Sequence, residues 1–227
     1  RKNTTVPESS QQGPSILPAE DESMNRSHDE TSEALLTAAH RLLAESGPDA
    51  LTVRRIANEA GMSTMNVYSR FGGKDGVIDE LYADGYRRLG STLTAVPTTD
   101  DAIADLIAVG KAYRAFANDN PTYYGVMFGG AIHGFHASDQ AAEVGLFNLR
   151  TIVDRIELGQ ERGAIKKPEG CQPVDIAAWL WATCHGLVSL ELAGTANELV
   201  DWSKVFENGF HATVSALDPA VQRAPAG

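Results

Sequence analysis

Cysteine is nearly missing from this chain of 227 residues, with only Cys171 and Cys184, thirteen apart. That spacing fits neither a zinc-ligand set nor a Cys-x-x-Cys pair, so two free thiols in a reducing cytosol are expected, with Cys184 buried. No basic cluster adjoins Cys184 to lower its pKa, which argues against a redox switch. Long hydrophobic runs are missing too. The longest fall far short of the ~20 residues that a transmembrane helix needs. No charged-then-apolar signal segment opens the chain, and a cytoplasmic protein with no membrane partner is expected. No alternating strand pattern of convincing length occurs. Positive charge is scarce, since the formal net charge is −11. No nucleophile–base arrangement stands out, so neither an enzyme nor a cofactor is expected. Gly129-Gly130 is no phosphate loop, because no strand precedes it and no lysine follows in register. His133 and His136 have the spacing of a metal pair but no clear third ligand.

What is present fits two small helical domains sharing a sizeable core, with a hydrophobic content of 43%. Residues 1–28, rich in Ser, Pro, Gln and Glu, bury too little to offset ordering entropy and read as a disordered arm. Residues 218–227 read as a flexible tail. Between them the expected division is a head over 29–88 and a larger helical domain over 89–217.

The most informative stretch runs from Leu51 to Lys74. Thr52 is a plausible N-cap, and Val53, Ile56, Ala57 and Ala60 recur at helical spacing. Gly61 follows, where a left-handed backbone suits glycine, and Ser63 can cap a second helix. In that helix Val67 and Phe71 pack inward, with Met62 sealing the turn. Leu35, Ala38, Ala39, Leu42 and Leu43 give a supporting helix that ends at Gly47-Pro48. Thr64, Met65, Asn66, Tyr68, Ser69 and Arg70 then face outward. Between Thr52 and Lys74 the cations Arg54, Arg55, Arg70 and Lys74 meet the single anion Glu59, a local reversal of sign in an acidic chain. This is the layout of a helix-turn-helix that puts one helix into the DNA major groove.

Residues 31–82 resemble the amino-terminal domain of the tetracycline-repressor (TetR) family of transcriptional regulators. The matching residues are Ala38-Ala39, Gly47, Leu51-Thr52, Ile56-Ala57, Ala60-Gly61, Ser63, Val67-Tyr68, Phe71, Lys74 and Val77-Ile78. The resemblance implies Tyr68, Thr52 and Lys74 as phosphate contacts. Thr64, Met65, Asn66 and Ser69 become candidates for base edges, with Arg54, Arg55 and Arg70 on backbone or flanking bases; Ser63 belongs to the same DNA-facing set. Many family members carry Lys-Gly or Pro-Gly where this chain has Thr64-Met65, so Met65 offers an apolar contact, such as to a thymine methyl. Gly73 stands where serine or asparagine is usual, and glycine is a tolerable N-cap.

From Lys74 onward the pattern is helix after helix: about 74–93, 100–118, 122–128, 138–162, 174–192 and 202–217. In the fifth of these, Val174, Ala178, Trp181, His185, Val188 and Leu192 make one stripe, and Ile176, Leu180, Leu187 and Leu190 another. A helix apolar nearly all round is buried on more than one side. The simplest second neighbour is a symmetry mate, giving a four-helix bundle across a two-fold axis. Trp181-Ala-Thr-Cys-His185-Gly186, together with Asn120-Pro121, Tyr124 and Met127-Phe128, resembles the Trp-x-x-x-His-Gly motif of one TetR carboxy-terminal subfamily. An effector pocket is expected inside this domain, with Tyr113, Phe116, Tyr124, Met127, Phe128, Phe147, Trp181 and His185 as lining residues. At helical spacing each of these is also an ordinary core residue.

The sequence therefore leads to an all-α, homodimeric repressor of a palindromic operator in double-stranded DNA, released by a small apolar or aromatic effector. The helix over 74–93 would carry the change from pocket to head. Two rivals stand beside it: an activator or effector-independent DNA-binding protein, and an enzyme or carrier with a vestigial helix-turn-helix.

Overall fold

Side-chain oxygens that accept an amide one turn ahead set where five helices begin. Asp29 takes the amide of Ser32 at 2.8 Å, Thr52 that of Arg55 at 3.2 Å and Asp101 that of Ala104 at 2.9 Å. Ser138 takes that of Ala141 at 3.2 Å and Asp201 that of Lys204 at 3.1 Å. The computed structural model describes residues 29–128 and 132–221. The arm expected over 1–28, Gly129-Gly130 and residues 222–227 of the tail lie outside the described residues.

Among the described residues every regular element is helical. In chain order they are α1 (Glu30–Ser46), α2 (Val53–Glu59), α3 (Thr64–Phe71), α4 (Lys74–Thr94) and α5 (Ala102–Asp119). Then come α6 (Pro121–Phe128), α7 (Asp139–Glu161), α8 (Pro173–Leu192) and α9 (Trp202–Ser215). A 3-10 turn, Pro48–Ala50, joins α1 to α2. Proline opens both α6 and α8, where its missing N–H costs nothing. None of these helices is long and apolar enough to cross a membrane.

The head is α1 to α3. Leu35, Ala39, Ile56, Ala57 and Val67 are buried between these helices, and Met62 and Phe71 pack against them. Gly61, with φ 67°, turns the chain between α2 and α3. The helix α4 belongs to both halves. Val77, Ile78 and Leu81 near its start join the head core, while Tyr86, Leu89 and Leu93 continue into the larger core. Small residues bring its neighbours close. A Cβ on Gly85 would lie 2.7 Å from the Met127 sulfur of α6, and one on Gly90 2.5 Å from Asn148 Oδ1 of α7. Asn148 Nδ2 also donates to the Tyr86 carbonyl at 2.9 Å.

Around this beam, α5, α7, α8 and α9 build the larger domain. Phe206, Phe210 and Val214 of α9 are buried, as are Ile176, Ala177, Leu180, Cys184 and Val188 of α8. The buried face of α8 thus includes Ile176 and Leu180 of one expected stripe and Val188 of the other, while Ala178, Trp181 and Leu192 are exposed on the single chain. The chain after α9 is tied back, since Lys166 Nζ donates to the carbonyls of Ala216 at 3.2 Å and Val221 at 2.7 Å. Residues 218–221, at the start of the expected flexible tail, are held by this lysine.

The junction of α3 and α4 is the tightest point in the head. A Cβ on Gly76 would sit 1.8 Å from the Phe71 carbonyl oxygen, a backbone atom that cannot rotate away. Helix propensity alone favours alanine at such a position by about 1 kcal/mol. The close approach reverses the sign. Gly76→Ala is expected to destabilise the chain by about 1–3 kcal/mol in urea unfolding, whereas an unchanged or raised midpoint would show that α3 and α4 are not so closely joined.

Candidate nucleic-acid interface and interior cluster

On α3 the apolar Val67 anchors one side and leaves the other free. Met65 is 69% exposed and Tyr68 55%, high values for large apolar side chains on an eight-residue helix. Thr64, Ser69 and Arg70 are exposed beside them, and Asn66 is half-buried. The expected cap at Ser63 is absent. Ser63 occupies the N-cap position, but its hydroxyl accepts from Asn66 Nδ2 at 3.4 Å rather than from a backbone amide. Ser69 Oγ donates to the Asn66 carbonyl at 3.3 Å.

The cations of the head fall into two groups. Arg70 is engaged within the protein: its Nε and Nη2 donate to the two Asp29 oxygens at 3.1 and 2.8 Å, a fork across forty-one residues. Asp29 also caps α1, and the Arg70 hydrogen bond, followed by the Ser32 amide, holds its carboxyl well below the usual range. Arg70 thus stays exposed, as expected, with its guanidinium paired to Asp29 at the surface. Its guanidinium joins α3 to the start of α1 because Asp29 supplies matched bidentate geometry. Glu59, the lone anion of the motif, pairs with Arg41 of α1. Arg54 and Arg55 are exposed on α2, and Lys74 is half-buried at the first position of α4. No side chain caps α4: Gly72 and Gly73 precede Lys74 with φ 72° and 144°. A Cβ on Gly73 would meet Tyr68 Cε1 at 3.8 Å, so the tyrosine ring lies alongside the amino end of α4. Tyr68 and Lys74 thus lie at that helix end, and Thr52 is exposed at the start of α2.

In the larger domain the structure gathers five of the eight expected pocket residues. Tyr113 of α5, Tyr124 and Phe128 of α6, and Trp181 and His185 of α8 stack or tilt against one another with ring centroids 4.8–6.4 Å apart. Tyr124 Oη lies 2.7 Å from His185 Nδ1 and Tyr113 Oη 3.3 Å from it. Ser189, one turn past His185, is 3.3 Å from both His185 Nε2 and Tyr124 Oη. Burial pushes the His185 pKa below its ordinary value and those of Tyr113 and Tyr124 above theirs, so all three are held neutral. Burial likewise raises the Cys184 thiol.

The other three expected residues lie elsewhere. Phe147 is exposed on α7, because Asn148, next along the helix, is the residue turned to α4. Met127 faces Gly85 of α4, and Phe116 is buried in the α5 core. A cleft of about 470 Å³ opens instead between α5, α8 and α9, lined by Lys111, Arg114, Glu191, Phe206 and Glu207, and holds none of the eight. His133 and His136 are exposed, and no group of three metal-ligating side chains occurs among the described residues.

Sequence reasoning missed the junction between the halves. Tyr123 precedes Tyr124 and points the other way. Its ring stacks on His40 of α1 at 4.5 Å, its hydroxyl donates to Asp84 of α4 at 2.6 Å, and Arg88 lies 5.0 Å over its face. The adjacent tyrosines were visible as a pair, but which helix each would meet was not.

Comparison with known proteins agrees with this architecture. Residues 35–81 match the family described as bacterial regulatory proteins, tetR family, and residues 106–214 the tetracyclin repressor-like C-terminal domain. The HTH-type transcriptional regulator Rv1816 of Mycobacterium tuberculosis is 26% identical over 213 residues, covering 81% of this chain and 90% of that protein. A solved protein of unknown function from Rhodococcus sp. RHA1 superposes with TM-score 0.72 at 25% identity, over 85% of this chain and 98% of that one. A bacterial regulatory protein in the tetR family from Rhodococcus RHA1 shares the fold, with TM-score 0.63 at 17% identity over 86% of this chain and 100% of that one. With both domain matches in sequence order, a helix-turn-helix at one end and no strand among the described residues, the chain belongs to the TetR family of transcriptional regulators.

Proposed function

We propose that this regulator is a homodimeric repressor that grips a palindromic operator and is released by a small apolar or aromatic effector. The observation that carries the reading is the outward face of α3, exposed and flanked by Arg54, Arg55 and Lys74 on a chain of net charge −11. In this reading Thr52, Tyr68 and Lys74 hold phosphates, with the uncapped end of α4 adding its amides. Ser63, Thr64, Met65, Asn66 and Ser69 face the base edges, Met65 by apolar contact. Arg54 and Arg55 serve backbone or flanking bases. Arg70 acts at one remove, its fork to Asp29 fixing the tilt of α3.

One head neutralises few phosphates, so two must act together, with half-sites roughly 34–36 Å apart. The outer faces of α8 and α9 support a two-fold bundle. On α8, Trp179, Ala182 and Leu190 are exposed, and a Cβ on Gly186 would meet nothing. On α9, Val205, Gly209 and Ala212 stand exposed at spacings of four and three, followed by Ala216 at its C-cap. Small residues in that register let helices of two copies approach closely.

The interior cluster is the effector site in this reading, and α6 is its link to the head. Tyr124 and Phe128 touch the cluster, while Tyr123 on the same short helix touches α1 and α4. An effector that moves α6 therefore shifts both helices that position α3. Operator affinity then falls by the ratio of effector affinities for the two arrangements.

An electrophoretic shift with the duplex upstream of its own coding region tests the reading, a retarded band being expected and its absence in dilute buffer counting against it. Lys74→Ala should weaken operator and random duplex alike, whereas Asn66→Ala should cost about 1–3 kcal/mol on the operator and little on random DNA. Equal losses for Asn66→Ala would remove it from the base-reading set. Leu190→Glu places a charge on the proposed dimer face. Sedimentation should report a folded monomer, with operator affinity lower by about 100-fold or more; a stable dimer would move the interface elsewhere.

A further inference from the structure

We propose that the Phe128 ring occupies the effector's seat, and that the ligand is a neutral, single-ring aromatic bearing one hydroxyl, which displaces that ring and joins the hydroxyl–imidazole network centred on His185. The proposal rests on the reading of the interior cluster as the effector site and names its ligand class.

Phe128 is the last residue of α6, yet its ring is surrounded like a core side chain. Centroids of His185, Tyr124, Tyr86, Trp181 and Tyr113 lie 4.8, 4.9, 5.4, 6.1 and 6.4 Å away, on four helices. It is nonetheless only half-buried, and its neighbours Trp181 and His185 also keep surface, whereas Tyr113 and Tyr124 are buried. An aromatic pocket is therefore filled by a side chain with one edge toward solvent, at the end of a helix of eight residues. On leaving, the ring gives up its contacts with these five neighbours, which an incoming aromatic ring restores.

The polar chemistry beside it sets the class of what replaces it. The hydroxyls of Tyr113, Tyr124 and Ser189 and the imidazole of His185 bond to one another, and each can donate or accept. Phe128 cannot join them. A ring carrying a hydroxyl keeps the aromatic contacts and adds a hydrogen bond that phenylalanine lacks. The network includes no charged side chain. The nearby Arg114 and Glu191 are spent on each other, at 2.8 and 2.5 Å. An ionised ligand would lose its hydration without a counter-charge, which disfavours carboxylates. Departure of Phe128 would also pull on α6, whose Tyr123 holds His40 and Asp84 at the head.

Calorimetric titration of the full chain with p-cresol, toluene and 4-methylbenzoate tests this directly. Trimming a packed ring leaves an apolar cavity able to take a small aromatic, so Phe128→Ala should bind p-cresol about ten-fold or more tighter than the wild type. Among the three probes p-cresol should bind best and 4-methylbenzoate worst, and adding His185→Phe should erase the advantage of p-cresol over toluene. Should the alanine variant fail to fold, Phe128→Leu must shift in the same direction. No gain in either folded variant, or 4-methylbenzoate matching p-cresol, overturns the proposal. Operator binding measured in parallel separates the two readings. Tight p-cresol binding by Phe128→Ala with operator affinity untouched supports the seat and refutes effector release. Loss of operator binding to other compounds, with p-cresol never bound, refutes the seat alone.

Discussion

A chain of net charge −11 meets a polyanion favourably only where its own charge is locally reversed. That constraint orders the molecule. The reversal lies between Thr52 and Lys74, on the outer side of α2 and α3 and at the uncapped start of α4. Even there the supply is small, because Asp29 takes up Arg70, although Arg41 offsets the one anion, Glu59. Arg54, Arg55 and Lys74 remain to face outward. With so few cations per head, the proposed reading draws its affinity from pairing two heads through the exposed faces of α8 and α9.

The second constraint is distance. The interior cluster and α3 share no side chain, so in the proposed reading an effector acts on the head through helices that touch both regions. The helix α4 does so by its length, with its first turns in the head core and Tyr86 against Phe128. The helix α6 does so by its faces, with Tyr124 and Phe128 on one side and Tyr123 on the other. The contacts of Tyr123 are polar and directional, a stacked imidazole and a short bond to Asp84, and so are sensitive to small displacements. A well-packed core rearranges between discrete states rather than stretching. Two adjacent tyrosines on opposite sides of one short helix are suited to biasing such a choice.

Local features were the most legible in the sequence. Thr52 marks a helix start because an N-cap needs only its own next turn, and Gly61 marks the turn because few other residues take φ 67°. The apolar periodicity gave the helices of the head, whereas the roles of Tyr68 and Lys74 came only with the resemblance over 31–82. Helix phase was less legible where apolar residues cover most of a helix. On α8 the buried side runs through Ala177 and Cys184, while Trp181 keeps surface, and on α7 Asn148 rather than Phe147 turns inward. Which side wins depends on neighbours brought in from distant sequence. The same holds for Arg70, whose partner is forty-one residues away, and for Ser63, whose hydroxyl found Asn66 before a backbone amide. Ser189 was readable in principle, one turn beyond His185 on the same face.

The dependence of duplex affinity on salt measures the central claim most directly. Each neutralised phosphate contributes a slope of about −0.9 in log K against log salt. For a duplex bearing both half-sites the account predicts a steep negative slope, about twice that for a duplex with one half-site. Equal slopes for the two duplexes, or affinity indifferent to salt, would contradict it.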